Sequence, residues 1–544
     1  MTRVLLSTVH NFPTDPLKAV RLSFACFLIL AFVTMATPAS AGTDGATQLD
    51  PKQVLRAAEK LIQKGSFELA EQMLRGAIVD YPTDSSLKLK LAFTLMKMRI
   101  FTEAYNLSFN VAKNEPTNAN AFAVLGTVLL TGGRLDDSRA ILLRALALNR
   151  KESLALATFG LLEFYENRLD SSLDYLFEAK FIDPGNADYI FAYAQVAARA
   201  ERYQEAAAAY RQFLVFSKST DDDRKERIKG LINFLEYLGL RSSLYVVSGT
   251  DSSTISFDLK GNRPVVLLKV NNFKDPLRFV LDTGSGISVI SNQTAKRLKI
   301  KEIARGGFAK GIGGTGKFEI VYGFLKEVQL GSVRIKNIPV YIREFHHNVH
   351  EIDGYIGISL ISKFLTTVDY GEKTFTLNRL GQEVATSTMS NNISLPLRLT
   401  SSGFLSGEVK MEGVETPLNF IVDTGASVSV LSDIVARQEP FHSLPRRDLL
   451  RVIGSAGVTE NVESFTLPKI SFGDHSRLSV TAIALDLEII NDASGFEQSG
   501  ILGGNFFLDY RMTFDFKNSR LIFVPTKPNS AIDASQQNEI ESLP

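Results

Sequence analysis

Between about residue 51 and residue 218, apolar and small residues recur with a period of 34, the pattern of paired amphipathic helices. Counted from each repeat start, the eighth position reads Ala58, Ala92, Gly126, Gly160 and Ala194. The twentieth reads Ala70, Ala104, Ser138, Ser172 and Ala206. Small side chains at two fixed places let the helices of a pair approach closely. Pro82, Pro116 and Pro184 fall on one lattice, with Arg150 in the remaining slot, and a proline there stops the second helix. The next amphipathic stretch, DDRKERIKGLINFLEYLGL, predicts a capping helix. After residue 240 the texture changes. Runs such as RPVVLLKVNN, PLRFVLDTG, RIKNIPVYIRE and TFTLNRL, broken by Gly, Asn, Asp and Lys turns, predict short strands. QEVATSTMSNN (382–392) reads as a linker, strands resume at ISLPLRLTSSGFLSGEVKMEG, and NSAIDASQQNEIESLP reads as a loose polar tail.

The helical period and its small positions resemble the tetratricopeptide repeat. The resemblance implies an all-α solenoid of five repeats with its cap over residues 51–240. Its concave face is expected to bind a peptide or partner, unless the array only packs against the rest of the chain.

The strand-rich region is written twice. FVLDTGSGISVIS carries Asp282, Thr283 and Gly284, and FIVDTGASVSVLS carries Asp423, Thr424 and Gly425, 141 residues on. Gly313 in KGIGGTGKF and Gly454 in RVIGSAGVT keep the same offset. GYIGISLISKFLTTVDY then matches GILGGNFFLDYRMTFDF, with Gly354, Gly357 and Asp369 each 146 residues before Gly500, Gly503 and Asp515. Peptide hydrolysis by water needs a base for the water and an acid for the carbonyl oxygen and the leaving amine. Two carboxylates held about 3 Å apart cannot both ionise, so one pair supplies both roles. One turn cannot face itself with a second carboxylate; two related lobes can. Thr283 and Thr424 are expected to tie the turns together, and Gly284 and Gly425 to let the backbone close on the carboxylates.

These motifs, in this order and in duplicate, resemble the aspartic proteases. The likeness spans roughly residues 252–380 and 393–526, and each lobe is of retroviral-protease size. The resemblance implies two all-β lobes (252–381 and 393–526), an extended peptide in the cleft, and no metal or other cofactor. It makes Asp282 and Asp423 the catalytic pair, supported by Thr283, Gly284, Ser285, Thr424, Gly425 and Ala426. The hairpin tips with Gly311, Gly313, Gly314, Gly454, Ser455 and Gly457 become flaps over the substrate. The two tripeptides continue differently. Ser285 is expected to donate its hydroxyl to Asp282, which Ala426 cannot do for Asp423, making Asp282 the ionised member. Residues 240–544 are expected to fold and work without the array.

The remaining chemistry is sparse. HHNVHE carries His346, His347, His350 and Glu351, but the equivalent loop of the second copy, DLEIINDASGFE, has no histidine. A solvated loop is the better reading than a zinc site. No phosphate loop and no Ser/His/Asp order stands out. A hydrophobic share of 45%, a charged share of 22% and a net charge of +1 describe an ordinary globular chain with no nucleic-acid signature. Arg3, Lys18 and Arg21 precede an apolar run from Leu22 to about Ala36 and the small-residue site Ala39-Ser40-Ala41. Residues 1–41 therefore read as a secretory signal peptide rather than an uncleaved anchor. Its removal takes away Cys26, the sole cysteine, and fits export to a bacterial periplasm with no stable membrane span. Two rivals to an in-chain endopeptidase remain: a non-catalytic peptide-binding adaptor, and an enzyme whose lobes pair only between chains.

Overall fold

The computed structural model describes residues 49–217, 222–241, 243–314, 316–346, 351–381 and 393–526. The expected signal peptide with Cys26, the linker 382–392, the tail 527–544 and His347 and His350 lie outside the described residues. The chain forms two compact units, one through Ala155 and one from Leu156.

A helical array runs from Pro51 to Gly239. Its repeat is fixed by backbone chemistry as much as by hydrophobicity. Asp84, Asn118 and Asn186 cap the first helices of three repeats by accepting amide hydrogens of the first turn. Each helix pair bends at a residue in the left-handed region: Gly65, Arg99, Gly133, Asn167 and Glu201, with φ of 73°, 61°, 83°, 59° and 60°. The two small positions lie at the pair contact. A Cβ on Gly126 would stand 2.6 Å from Leu142 Cδ2, and one on Gly160 would stand 2.8 Å from Leu176 Cγ. Ser138 and Ser172 fill the twentieth position and donate to the carbonyls of Gly126 and Gly160 at 2.7 and 2.6 Å.

The second unit holds the later helices and both lobes. Lobe 1 is a sheet running edge to edge through Val246–Gly249, Val333–Arg343, Val289–Ser291, Gly354–Ile356, Leu277–Leu281, Arg263–Val270, Lys317–Leu330 and Ala304–Lys310. It takes in a strand that precedes residue 252. Lobe 2 follows with Arg398–Leu399, Leu405–Met411, Leu418–Val422, Gly500–Leu502, Ser429–Ser432, His475–Leu485, Gly457–Phe472 and Arg446–Gly454. A third sheet belongs to both lobes. Ser252–Ser256, Thr374–Arg379 and Phe364–Asp369 come from the first copy, and Tyr510–Asp515, Arg520–Pro525 and Ile393–Pro396 from the second. At its centre Thr367 pairs with Thr513, its own counterpart at the 146-residue offset, and their hydroxyls lie 2.9 Å apart. A local twofold axis passes between them. Asp369 and Asp515 cap equivalent turns, accepting from Glu372 N at 3.0 Å and Asn518 N at 3.2 Å.

One expectation is corrected. Helix Asp222–Gly239 does more than cap the array, because one face packs on the hairpin Ala304–Lys310/Lys317–Leu330. Phe234 stacks on Tyr322 with ring centroids 4.3 Å apart. Arg227 donates to the carbonyl of Phe308 at 2.9 Å, and a Cβ on Gly230 would stand 2.1 Å from the carbonyl oxygen of Arg305. Farther back, Tyr165 packs on Phe496 at 4.9 Å, and Asn167 donates to the carbonyl of Phe516 at 3.3 Å. The lobes share buried surface with residues 156–239, so a fragment starting at 240 exposes apolar side chains and loses backbone partners.

Candidate active site

The two Asp-Thr-Gly turns meet within one chain. Each follows a strand held parallel to the matching Gly-apolar-apolar strand: Leu277–Leu281 beside Gly354–Ile356, and Leu418–Val422 beside Gly500–Leu502. The amides of Asp282 and Asp423 donate to Ile356 O at 3.0 Å and Leu502 O at 2.9 Å. Only glycine fits at the strand crossings, since a Cβ would lie 2.3 Å from the Phe279 ring at Gly354 and 2.2 Å from the Phe420 ring at Gly500.

Between the turns, Thr424 N donates to Thr283 Oγ1 at 3.1 Å, and Thr283 N to Thr424 Oγ1 at 3.2 Å. Thr283 Oγ1 donates to Val422 O at 2.6 Å, and Thr424 Oγ1 to Leu281 O at 2.7 Å. Both threonines are almost fully buried. Each hydroxyl thus stitches its own lobe to the other. The glycines that follow face the opposite carboxylates. A Cβ on Gly284 would lie 2.4 Å from Asp423 Cγ, and one on Gly425 would lie 2.7 Å from Asp282 Cγ.

Burial raises both carboxyl groups above the usual carboxylate range, and for Asp282 the charge of Asp423 adds to the effect. The pair titrates as a unit with one shared proton. Backbone amides of Gly425, Gly284 and Ala426 favour the ionised form of Asp423, with Gly425 N at 2.7 Å from Oδ1. The charge of Arg343 and the Gly284 amide act in the same sense on Asp282. The expected donation from Ser285 to Asp282 is not made. Ser285 Oγ is bonded elsewhere, donating to Ile287 O at 3.0 Å.

The flap residues come together above the pair. Ala456 N donates to Ile312 O at 2.9 Å, and Gly314 N to Val458 O at 3.2 Å, so the two tips clasp each other. The glycines are needed for that approach. A Cβ would lie 2.2 Å from Ser455 Oγ at Gly311, 2.3 Å from Gly457 O at Gly313 (φ 87°), and 2.2 Å from Ile312 O at Gly454. Beneath the flaps is a cavity of about 1280 Å³. It exceeds the roughly 300–1,000 Å³ of small-molecule sites and suits several residues of extended chain.

Three contributors were missed in the sequence. Ser288 and Ser429, also 141 apart, accept the amides of Gly357 and Gly503 at 3.1 Å each and brace the turns from behind. Arg343 donates to Ser455 O at 2.8 Å, lies against the rings of Phe318, Phe345 and Tyr355, and pulls Asp282 downward by its charge. The serines were legible from the repeat; Arg343 has no counterpart that would have marked it. His346 lines the cavity, whereas Glu351 pairs with Arg278 at 2.5 Å. Among the described residues no three His, Cys, Asp or Glu side chains group as metal ligands, and no helix is long and apolar enough to cross a membrane.

Residues 266–360 and 407–506 each match the aspartyl protease family model. No curated protein matches the chain significantly. Among solved structures, an aspartic proteinase from Irpex lacteus is 14% identical with a TM-score of 0.36, covering 52% of this chain and 99% of its own. A thermophilic TPR protein of Thermus thermophilus is 20% identical with a TM-score of 0.29, covering 33% of this chain and 98% of its own. The chain thus resembles aspartic proteases in its two β-rich lobes, which follow a helical repeat array.

Proposed function

We propose that the protein is an aspartic endopeptidase, with Asp282 and Asp423 acting on a water between them. One observation carries this reading: two buried carboxyl groups, one from each lobe, face each other across Gly284 and Gly425. A module that only bound peptides would gain nothing from such a pair, whose burial is costly. The ionised Asp423 takes a proton from water as the water oxygen bonds to the scissile carbonyl carbon. Asp282 gives its proton to the carbonyl oxygen, forming a neutral tetrahedral diol. Collapse breaks the C–N bond as Asp423 passes its new proton to the amine nitrogen, and Asp282 recovers its proton from the diol hydroxyl. The clasped flaps exclude bulk water and open to admit substrate.

The array recruits substrate or a protein partner. The charged, then apolar, then small-residue N-terminus supports export to a periplasm. The decisive assay incubates the protein with an unfolded substrate across pH 3–8, alongside Asp282→Asn and Asp423→Asn. Each variant is expected to lose several orders of magnitude in turnover while keeping the fold, and the double variant to be scarcely worse. Near-normal turnover in either single variant would mean that the two turns do not form one catalytic site.

A further inference from the structure

We propose that the later helices of the array build the end wall of the peptide cleft, and that Arg199 on that wall binds the free C-terminal carboxylate of a substrate. The enzyme then selects bonds a few residues from that end. This rests on the peptide-hydrolase reading above and names its substrate class.

The two ends of the cleft are equivalent by the repeat but differently built. Gly286 and Ser427 hold matching places, each four residues past a catalytic Asp. At Ser427 the neighbours are loop residues of lobe 1. Asn262 donates to its carbonyl at 3.1 Å, and a Cβ on Gly261 would lie 3.1 Å from its hydroxyl. At Gly286 a Cβ would meet Ser402 O at 2.3 Å, with Gly403 Cα at 3.5 Å. Behind Gly403, Arg199 Nη2 stands 3.9 Å from where a Cβ would be. Arg199 ends the helix Ala187–Arg199 and lines the same cavity as the two catalytic carboxyls.

Its chemistry is that of an anion anchor. The guanidinium lies over the Phe164 ring at 3.8 Å. It donates to the carbonyls of Thr400, Ser401 and Phe164. Three of its five N–H groups are thereby used, all on neutral oxygens, and two remain. No carboxylate meets this charge among the described residues. The neighbouring Glu201 is already paired with Lys363. A guanidinium taken out of water beside carbonyls alone gains most from a carboxylate: with both Nη2 hydrogens in use, Nε–H and one Nη1–H remain for a charge-assisted bond. Arg199 and the two carboxyls line one cavity, so a chain anchored at the wall meets the pair at a fixed number of residues from its end.

The test uses the full chain and two fluorogenic peptides of one sequence, ending in a free acid or in an amide. The acid should show a KM at least about tenfold lower, with the cut at one fixed distance from the end however far the peptide is lengthened at its N-terminus. In Arg199→Met the acid-to-amide ratio should fall towards one. Equal use of both peptides by the wild type overturns the proposal without any variant, as does a preference that survives in Arg199→Met. An amide peptide with a terminal Glu that regains the full advantage would assign the wall to acidic side chains instead, and overturn it too. Binding of the same peptides to Asp282→Asn separates the two readings. Acid-over-amide binding without hydrolysis by the wild type sinks the protease and keeps the wall. Hydrolysis without that preference does the reverse.

Discussion

Thr283 and Thr424 exchange hydrogen bonds in both directions: each amide donates to the other's hydroxyl, and each hydroxyl donates to a carbonyl of the opposite lobe. Removing one hydroxyl therefore strands partners on both sides of the cleft. Thr424→Val should leave Thr283 N and Leu281 O unpaired in a dry site, at a cost of about 2–4 kcal/mol. Thr424→Ser, which keeps the oxygen, should lose less than half of that. Urea unfolding of the pair of variants measures both. A Val variant as stable as the Ser variant would show that the exchange is not holding the lobes.

The raised carboxyl groups set the sign of the pH dependence. A group whose folded pKa lies above its unfolded value gives stability that is complete below the unfolded pKa and lost as pH rises through the folded one. Asp282 and Asp423 are both raised by burial. Their contribution should be greatest at and below the ordinary carboxylate range, declining as pH climbs towards neutrality. Asp282→Asn should flatten this decline and be the more stable protein at pH 7, read from melting temperatures between pH 4 and pH 8. A steeper fall in the variant would contradict the burial argument.

Ser285 gives its hydroxyl proton to Ile287 O, not to the carboxyl pair. Ser285→Ala should accordingly leave both limbs of the pH–rate profile within error of the wild type. Loss of a part-buried bond should cost about 1 kcal/mol of stability. A shift of the acidic limb by half a pH unit would restore the dyad role that the residue type suggested.

The helices of the second unit share one folded body with the two lobes. Residues 240–544 alone should aggregate or melt far below the full chain. Within the full chain, Gly230→Ala should push the helix off the hairpin at Arg305, where a Cβ has only 2.1 Å. Overpacking of this kind costs about 1–3 kcal/mol. Because that hairpin carries the flap tip, KM should rise more than kcat falls. Thermal scans and steady-state kinetics on the variant check both statements.

What the sequence disclosed about this site is what had to be kept twice. Gly284 and Gly425, Gly354 and Gly500, Gly313 and Gly454 are places where backbone meets a carboxyl, a ring or other backbone, so both copies kept the same residue and the 141- and 146-residue offsets exposed them. Residues that act once left no such trace. Arg343 and Arg199 are single basic side chains in ordinary sequence surroundings, and their roles depend on which carbonyls fold against them. Gly230 looks like a common weak spot in a helix until Arg305 is seen beside it. The left-handed turns of the array were hidden for another reason. Arg99, Asn167 and Glu201 adopt there a conformation that composition assigns to glycine, because the packed helix pair on either side determines it. The expected bond from Ser285 to Asp282 went wrong on residue type alone, since a hydroxyl next to a carboxylate goes to whichever acceptor the turn places nearest.

The sheet shared by the two lobes bears on when the paired carboxyl site is completed. Phe364–Asp369 lies beside Tyr510–Asp515, so its edge stays bare until the ribosome has added 146 more residues past Asp369. At 5–20 residues per second that delay is on the order of 7–30 s. For most of it the second lobe is unfinished, because Leu418–Val422 still lacks its neighbour Gly500–Leu502, and the first Asp-Thr-Gly turn has no opposite carboxyl held against it. A nascent chain in this state is inert as a hydrolase and adhesive as a strand edge. Its hazard during synthesis is therefore aggregation rather than premature cutting, and the last sheet strands to emerge end both conditions together.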